Sequence, residues 1–316
     1  MTSSLRWPSL ADAALEATIV GSFTKVGIRA RNQLFDWDDD LPSMAGQEVV
    51  ITGATSGIGR ATAQAILDLG ANVHLTSRSD DRAQQAAEEL NRASDGGRAT
   101  GYGLDTSDLE SIAAFAAELD AVDRGLDVLI HNAGALTSKY LTDARGNELT
   151  LSSHLIGPYE LTKRLRPALN VGARVLFMSS GGMYTQKLDV DSIEMTEENY
   201  RGAVAYARAK RGQVELVTHL GPLWAPEVRL HAMHPGWVDT PGVDAALPGF
   251  GRVMGPLLRN AEQGADTMVW LAATGGDDAP AGSFWLDRRV RRTHYLPGTG
   301  ASAAERVRLI EWLDAR

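Results

Sequence analysis

The stretch Thr52-Gly-Ala-Thr-Ser-Gly-Ile-Gly59 decides the fold of this chain. It follows a β-branched run that begins at Glu48 and precedes a helix-like segment over 60–69. At such a strand-to-helix turn, backbone amides and the positive end of the helix dipole can hold a pyrophosphate. Glycines let the phosphates approach the backbone and let the helix approach the strand. The stretch therefore predicts a dinucleotide site with these candidate contacts: Gly53, Thr55, Ser56, Gly57, Ile58 and Gly59.

Short apolar runs alternate with helix-like segments from Gln47 onward, which is typical of βαβ units and a parallel sheet. No linker rich in glycine or proline divides the series. We therefore expect one Rossmann-type α/β domain over 47–316, with a doubly wound parallel sheet of about seven strands flanked by helices. The predicted strands are 48–53, 72–76, 98–104, 126–131, 173–179, 228–234 and 283–287. The predicted helices are 60–69, 80–92, 107–121, 148–168 and 204–223.

Residues 1–46 stand outside this alternation and are expected to form a helical extension. Leu15, Ile19, Phe23 and Val26 recur at helical spacing and predict one apolar stripe. Two interpretations stay open. We favour a helix that packs on its own domain or on a partner subunit. The alternative is a helix that contacts a membrane surface peripherally.

Composition narrows the classes of function. The 316 residues carry a formal net charge of −9, which argues against nucleic acid or an anionic membrane as a partner. The chain has no cysteine, so disulfides, thiolate metal sites and a cysteine nucleophile are excluded. The first residues lack the features of a secretory signal, and no apolar run approaches the length of a membrane span. We expect a cytoplasmic protein that acts on a small molecule without a metal.

Three further segments follow the glycine loop in an order that belongs to one family. Asp105 follows the third predicted strand, His131-Asn-Ala-Gly134 the fourth, and His234-Pro-Gly-Trp-Val-Asp-Thr240 the sixth. With the G-x-x-x-G-x-G spacing of the loop, they resemble the short-chain dehydrogenase/reductase family over roughly residues 47 to 290. Segments 179–183, 233–243 and 263–268 are most similar to one branch of that family. The resemblance implies further cofactor contacts: Asp105 at the adenine, Asn132, Ala133, Gly134, Pro235, Gly236, Val238, and Thr240 at the nicotinamide carboxamide.

Two Tyr-x-x-x-Lys pairs place a phenol and an ammonium on one helix face, Tyr206 with Lys210 and Tyr159 with Lys163. A nearby lysine charge favours the phenolate and makes tyrosine a usable acid or base. In the family that the chain resembles, the catalytic pair follows a serine at the end of the fifth strand. Only Tyr206 satisfies that order, with Ser180 as the serine. The resemblance further implies that Tyr206 and Lys210 contact the cofactor.

The chain departs from the family at the fourth catalytic position. Anchoring the match on Gly157-Pro158 places His154 where the family has an asparagine that holds a relay water. Histidine can donate or accept a hydrogen bond, so we expect the relay to Lys210 to survive. A gapped match would place Ser153 there instead.

The end of the second predicted strand bears on cofactor choice. An acid at this point accepts hydrogen bonds from the adenosine ribose, whereas a cation pairs with a 2′-phosphate. The sequence here is Thr76-Ser-Arg-Ser79, which has Arg78 and no acid. NADP(H) is therefore favoured over NAD(H).

These features predict an NAD(P)-dependent oxidoreductase that reduces a ketone or aldehyde with NADPH, or catalyses the reverse alcohol oxidation. Leu136, Met183, Tyr184 and Trp237 follow segments that usually line the pocket of this family, which favours an apolar small-molecule substrate. The family resemblance implies a homo-oligomer. Two alternatives remain, a catalytically weak dinucleotide sensor or partner-binding protein, and a sugar-nucleotide epimerase or dehydratase.

Overall fold

One eight-stranded sheet forms the centre of the computed structural model, which describes residues 6–38, 40–120, 125–134, 136–239, 254–295 and 298–316. Its strands are β1 (Glu48–Ile51), β2 (Asn72–Ser77), β3 (Ala99–Gly103), β4 (Leu126–His131), β5 (Leu169–Met178), β6 (Val228–Met233), β7 (Phe284–Leu286) and β8 (Arg289–Val290). They lie in the order β3-β2-β1-β4-β5-β6-β7-β8. All neighbouring pairs are parallel except β7 with β8. The expected doubly wound sheet is confirmed, with one short antiparallel strand in addition.

Helices cover both faces of the sheet. They are α1 (Arg6–Glu16), α2 (Ile19–Phe23), α3 (Lys25–Phe35), α4 (Gly57–Asp68), α5 (Asp80–Ala93), α6 (Leu109–Asp120), α7 (Leu149–Leu151), α8 (Gly157–Leu165), α9 (Gly202–Trp224), α10 (Ala261–Thr274) and α11 (Ala303–Asp314). Side chains alternate along β1, so Val49 and Ile51 face the core beneath α4, α5 and α10. Val50 faces the core beneath α6, α8, α9 and α11. The sheet is therefore buried on both sides, as a parallel sheet requires.

The helix predicted over 148–168 is interrupted. Between α7 and α8, residues Ser152–Ile156 form a π-helical turn, and Arg166–Ala168 form a 3₁₀ turn after α8. Single π turns inside α-helices are frequent at functional sites. This one carries His154.

The predicted N-terminal stripe does not form one helix, and that prediction is corrected. Thr18 and Thr24 have extended backbone angles and divide the segment into α1, α2 and α3. The Thr24 hydroxyl accepts a hydrogen bond from the amide of Val26, 3.3 Å away, and so begins α3. Because the chain turns at these points, Phe23 is buried while Val26 is 49% exposed.

A buried ion network attaches this extension to the domain. The Arg31 guanidinium is fully buried, with Nε 2.6 Å from Oδ1 of Asp12 and Nη1 2.6 Å from Oδ2 of Asp287. Asp287 also binds Arg259, whose Nη1 lies 2.6 Å from Oδ1. The extension therefore packs on its own domain through charges that follow β7 and precede α10. None of the described helices combines the length and apolar content needed to cross a bilayer.

Candidate active site

The glycine loop between β1 and α4 has the shape that the sequence predicts. Gly53 and Gly57 have φ angles of +67° and +55°, a region that side chains with a Cβ rarely adopt. A Cβ on Gly53 would lie 2.7 Å from Cα of Ala133, and a Cβ on Gly59 would lie 2.4 Å from Nδ2 of Asn132. Glycine is therefore required both for the turn and for its contact with the segment after β4.

The residues at the start of α4 are partly exposed. Ser56 is exposed and precedes α4 without a hydrogen bond from its side chain to the helix. Thr55 is half-buried beside it, and Ile58 packs near Val238 against Gly264. The first backbone amides of a helix have no partner within it, so the start of α4 offers donors of the kind that an anion site needs.

Asn132 links the segment after β4 to the glycine loop. Its Nδ2 donates to the carbonyl oxygens of Thr52 at 3.0 Å and Gly53 at 2.9 Å. The Thr52 hydroxyl in turn accepts from the amides of Asn132 at 3.1 Å and Ala133 at 3.0 Å. Sequence reasoning missed Thr52, although a threonine at the end of β1 next to the loop was a readable signal.

Arg78 and Asp105 follow β2 and β3, at the same edge of the sheet as the glycine loop, because the three strands are parallel. Arg78 is exposed, and within the described ranges it forms no ion pair. Oδ1 of Asp105 accepts from the amide of Ser107 at 2.9 Å and from its hydroxyl at 2.7 Å. Arg78 therefore offers an uncommitted positive charge, while one oxygen of Asp105 is engaged in the turn before α6.

The turn after β6 lies at the same edge of the sheet. Gly236 has a φ angle of +77°, and the carbonyl oxygen of Pro235 accepts from Nη1 of Arg259 at 3.1 Å. Val238 is buried and pairs with Arg259 in an isolated parallel bridge. Thr240 lies outside the described residues.

Ser180, Tyr206 and Lys210 come together between the end of β5 and the middle of α9. The Tyr206 phenol is within hydrogen-bonding reach of the Ser180 hydroxyl. Nζ of Lys210 lies 5.5 Å from the centroid of the Tyr206 ring and donates to the carbonyl oxygen of Met178 at 2.6 Å. Ser179, which follows β5, connects that strand to α9, because its hydroxyl donates to the carbonyl oxygen of Lys210 at 3.0 Å. The structure thus unites the three residues that the sequence singled out.

Burial shifts the proton equilibria of this group. Burial raises the pKa of Tyr206 above its usual 10.0, and the hydrogen bond with Ser180 opposes that rise. Burial lowers the pKa of Lys210 to about 7. Burial, and then the charge of Lys210, lower the pKa of His131 to about 3, so this histidine is neutral at physiological pH. The phenol is therefore protonated near neutral pH and can serve as a proton donor.

The π-helical turn brings His154, rather than Ser153, to the tyrosine. The imidazole of His154 is perpendicular to the Tyr206 ring, with centroids 5.0 Å apart, and a Cβ on Gly134 would lie 1.8 Å from its Cε1. The Ser153 hydroxyl donates to the carbonyl oxygen of Thr150 in its own turn. The His154 carbonyl oxygen accepts from Nε2 of Gln213 at 2.5 Å, a partner that sequence reasoning missed.

The second Tyr-x-x-x-Lys pair is structural. The Tyr159 hydroxyl donates to Oδ1 of Asp314 at 2.8 Å, and Nζ of Lys163 lies 2.7 Å from the same oxygen. Both therefore attach α8 to the C-terminal helix α11.

The residues expected to line a substrate pocket fall into two groups by their exposure. Leu136, Tyr184 and Trp237 are partly exposed, whereas Met183 is fully buried in the core. Met183 is therefore a core residue and does not present an exposed surface to a substrate. No group of three or more potential metal-ligating side chains occurs in the part of the chain that the structure describes.

Comparison with known proteins decides the family. The sequence model described as short chain dehydrogenase matches residues 47–248. The chain belongs to the short-chain dehydrogenase/reductase family. It is an NAD(P)-dependent oxidoreductase that acts on CH–OH or carbonyl groups.

Individual relatives agree with this assignment. This short-chain dehydrogenase/reductase is 38% identical over 309 residues to dehydrogenase/reductase SDR family member 12 from Bos taurus, covering 96% of each chain. It is 31% identical over 259 residues to retinol dehydrogenase 12 from Homo sapiens, covering 80% of this chain and 81% of the relative. The first relative confirms the likeness to one branch of the family that the three segments predicted.

A solved structure from Beutenbergia cavernae with bound NADP has a TM-score of 0.63 and 27% identity. The match covers 78% of this chain and 96% of that one. A protein from Mycobacterium paratuberculosis gives a TM-score of 0.68 at 26% identity, with 87% and 95% covered.

Proposed function

We propose that this oxidoreductase reduces ketones or aldehydes on apolar small molecules, uses NADPH, and delivers the proton from Tyr206. The observation that carries the proposal is the position of the Tyr206 phenol. It lies next to the ammonium of Lys210 and within hydrogen-bonding reach of the Ser180 hydroxyl. Reduction needs a protonated acid beside the carbonyl oxygen, and the raised pKa of Tyr206 provides one at neutral pH.

Each residue of the site then has one task. The Ser180 hydroxyl donates to the carbonyl oxygen of the substrate and orients it toward Tyr206. Tyr206 transfers its proton to that oxygen as the carbon accepts a hydride, which the reduced dinucleotide supplies when bound. The ammonium of Lys210 stabilises the phenolate that Tyr206 becomes. His154, packed on the Tyr206 ring, supports reprotonation through the relay.

The loop after β1 fits a dinucleotide. Two glycines with positive φ, and a third whose Cβ would meet Asn132, leave backbone amides accessible at the start of α4. Arg78 supports the preference for NADPH, because it is exposed and has no ion pair within the described residues. The solved structure from Beutenbergia cavernae, similar in fold, contains NADP.

An apolar substrate is supported by the partly exposed Leu136, Tyr184 and Trp237 near the end of the sheet. Retinol dehydrogenase 12, a relative at 31% identity, is named for an apolar alcohol. The family resemblance further supports a homo-oligomer. Light scattering that gives the monomer mass of 33.9 kDa at micromolar concentration would contradict the oligomer.

The test of the reaction follows NADPH oxidation with a panel of apolar ketones and aldehydes. We expect Tyr206→Phe to lower kcat by about 10²–10⁴-fold, the contribution of a positioned acid, in a variant that still binds NADPH. Tyr159→Phe is the matched control, because it removes the phenol of the second pair. Equal activity of the two variants would refute the assignment of Tyr206.

The test of cofactor choice is a fluorescence titration with NADPH and NADH. Arg78→Ala should weaken NADPH binding about 10- to 100-fold, the value of a charge-assisted hydrogen bond, and leave NADH binding unchanged. Arg92→Ala, an exposed arginine in the last turn of α5, is the control. An equal loss for both dinucleotides would show that Arg78 does not read a phosphate.

A further inference from the structure

Phe23, the last residue of α2 in the N-terminal extension, packs against the turn that carries the catalytic serine. A Cβ on Gly181 would lie 2.6 Å from Cε2 of Phe23, so ring and backbone are in direct contact. Gly181 immediately follows Ser180. The position of Ser180 relative to Tyr206 therefore depends on a residue outside the Rossmann-type domain.

The same ring contacts the turn after β6. Its centroid lies 4.5 Å from that of His234 and 5.9 Å from that of Trp237, with Trp237 nearly perpendicular. The carbonyl oxygen of Phe23 accepts from the amide of Trp237 at 2.7 Å. The Phe23 side chain is only 8% exposed, so it fills the space between the serine turn and the Trp237 turn.

The extension holds Phe23 firmly in that space. Nε of Arg259 donates to the Phe23 carbonyl oxygen at 3.1 Å, and Arg259 is itself ion-paired to Asp287. Asp287 also binds Arg31 of α3, and Arg291 binds Asp12 of α1 at 2.7 Å. The helices that precede and follow Phe23 in the sequence, α1 and α3, are therefore both fixed to the domain by ion pairs.

We infer that Phe23 is a positioning residue that sets the width of the substrate site and selects carbonyl substrates by size. This inference rests on the proposed carbonyl reduction. Ser180 and Trp237 stand on the two turns that Phe23 keeps apart, so a smaller side chain leaves room at the wall of the site. A larger side chain pushes the two turns into it.

The experiment compares Phe23→Ala, Phe23→Leu and Phe23→Trp with the wild type on straight-chain 2-alkanones from 2-butanone to 2-decanone with NADPH. We expect Phe23→Ala to raise the ratio of kcat/KM for 2-decanone over 2-butanone at least tenfold, the effect of one or more methylenes in an apolar pocket. The change should come through KM. Phe23→Trp should lower the ratio. Val20→Ala, on the same helix and 49% exposed in the wild type, is the control that should leave it unchanged.

A ratio that stays within twofold in folded Phe23→Leu and Phe23→Trp would overturn the inference, as would an equal loss of kcat for every ketone. If the wild type turns over none of the ketones, the proposed reduction fails. The inference is then tested on its own by thermal unfolding of the NADPH-saturated proteins in the presence of the same ketones. Stabilisation that depends on chain length differently in the Phe23 variants supports the inference, and identical stabilisation refutes it.

Discussion

Replacing Lys210 by methionine should abolish activity and yet stabilise the protein below pH 7. Lys210 is 2% exposed, and its ammonium donates to a neutral group, the carbonyl oxygen of Met178 at 2.6 Å. Within the described ranges no carboxylate contributes to its pKa, which burial lowers from 10.5 to about 7. The folded protein therefore holds a charge that would be more stable in water.

The size of this cost follows from linkage between folding and protonation. Below pH 7 both the folded and the unfolded chain hold the proton, and the full cost of roughly 5 kcal/mol applies. Between pH 7 and 10.5 the unfolded chain keeps a proton that the folded chain has released, so the stability of the wild type rises with pH. At pH 9 about 2 kcal/mol of the cost remains. Lys210→Met also loses one hydrogen bond worth about 1 kcal/mol.

The assay is urea unfolding of Lys210→Met and wild type without added dinucleotide. We expect the variant to be more stable by about 4 kcal/mol at pH 6 and by about 1 kcal/mol at pH 9. Lys163→Met, which changes the partly exposed lysine of the second pair, should shift stability by less than about 1 kcal/mol at both pH values. Equal differences for Lys210→Met at the two pH values, or destabilisation at pH 6, would refute the reasoning.

Three further substitutions test other parts of the structure. His154→Asn should retain kcat within about tenfold, because an amide can also bind a relay water, whereas His154→Phe should lower kcat by roughly 10²; abolished turnover in the asparagine variant would assign histidine another role. Asp287→Ala should destabilise the protein by about 3–5 kcal/mol in urea, since Arg31 and Arg259 are left buried without their shared carboxylate. Tyr159→Phe should keep full activity and lose about 1 kcal/mol of stability, the value of its bond to the C-terminal helix.

Sequence patterns located most of the sheet because buried parallel strands are short apolar runs that end at glycine or polar residues. The strand predictions were incomplete where that pattern stops. β5 begins at Leu169 rather than at residue 173. Its first four residues are exposed or partly exposed and include Gly172, whose φ angle is +84°, so they do not form a buried apolar run. β8 has two residues, both exposed, and no periodicity could reveal it.

Two helices were missed although their start signals stand in the sequence. Asn260 with Gln263 and Ser302 with Glu305 form capping boxes at the first turns of α10 and α11. These pairs were readable as local signals. By contrast, Arg31 and Asp287 are 256 residues apart, and their ion pair follows from the tertiary fold alone.

The same distinction applies to the candidate site. The three glycines belong to a short motif with a local mechanism, whereas the family resemblance selected Ser180, Tyr206 and Lys210, which the structure brings together. The contribution of Phe23 could not be predicted, because α2 meets the two active-site turns through packing across the whole chain.

The backbone at His154 shows why a departure in side chain need not change the site. In a regular helix the His154 carbonyl oxygen would accept from the amide four residues on, but that residue is Pro158, which has no N–H. The helix widens to a π turn over Ser152–Ile156, and the carbonyl accepts from Gln213 instead. This arrangement depends on Pro158 and Gln213, not on the side chain at 154. An asparagine or a histidine there would share the same backbone, so exchanging them would alter the group that we propose for the relay and keep its position next to Tyr206.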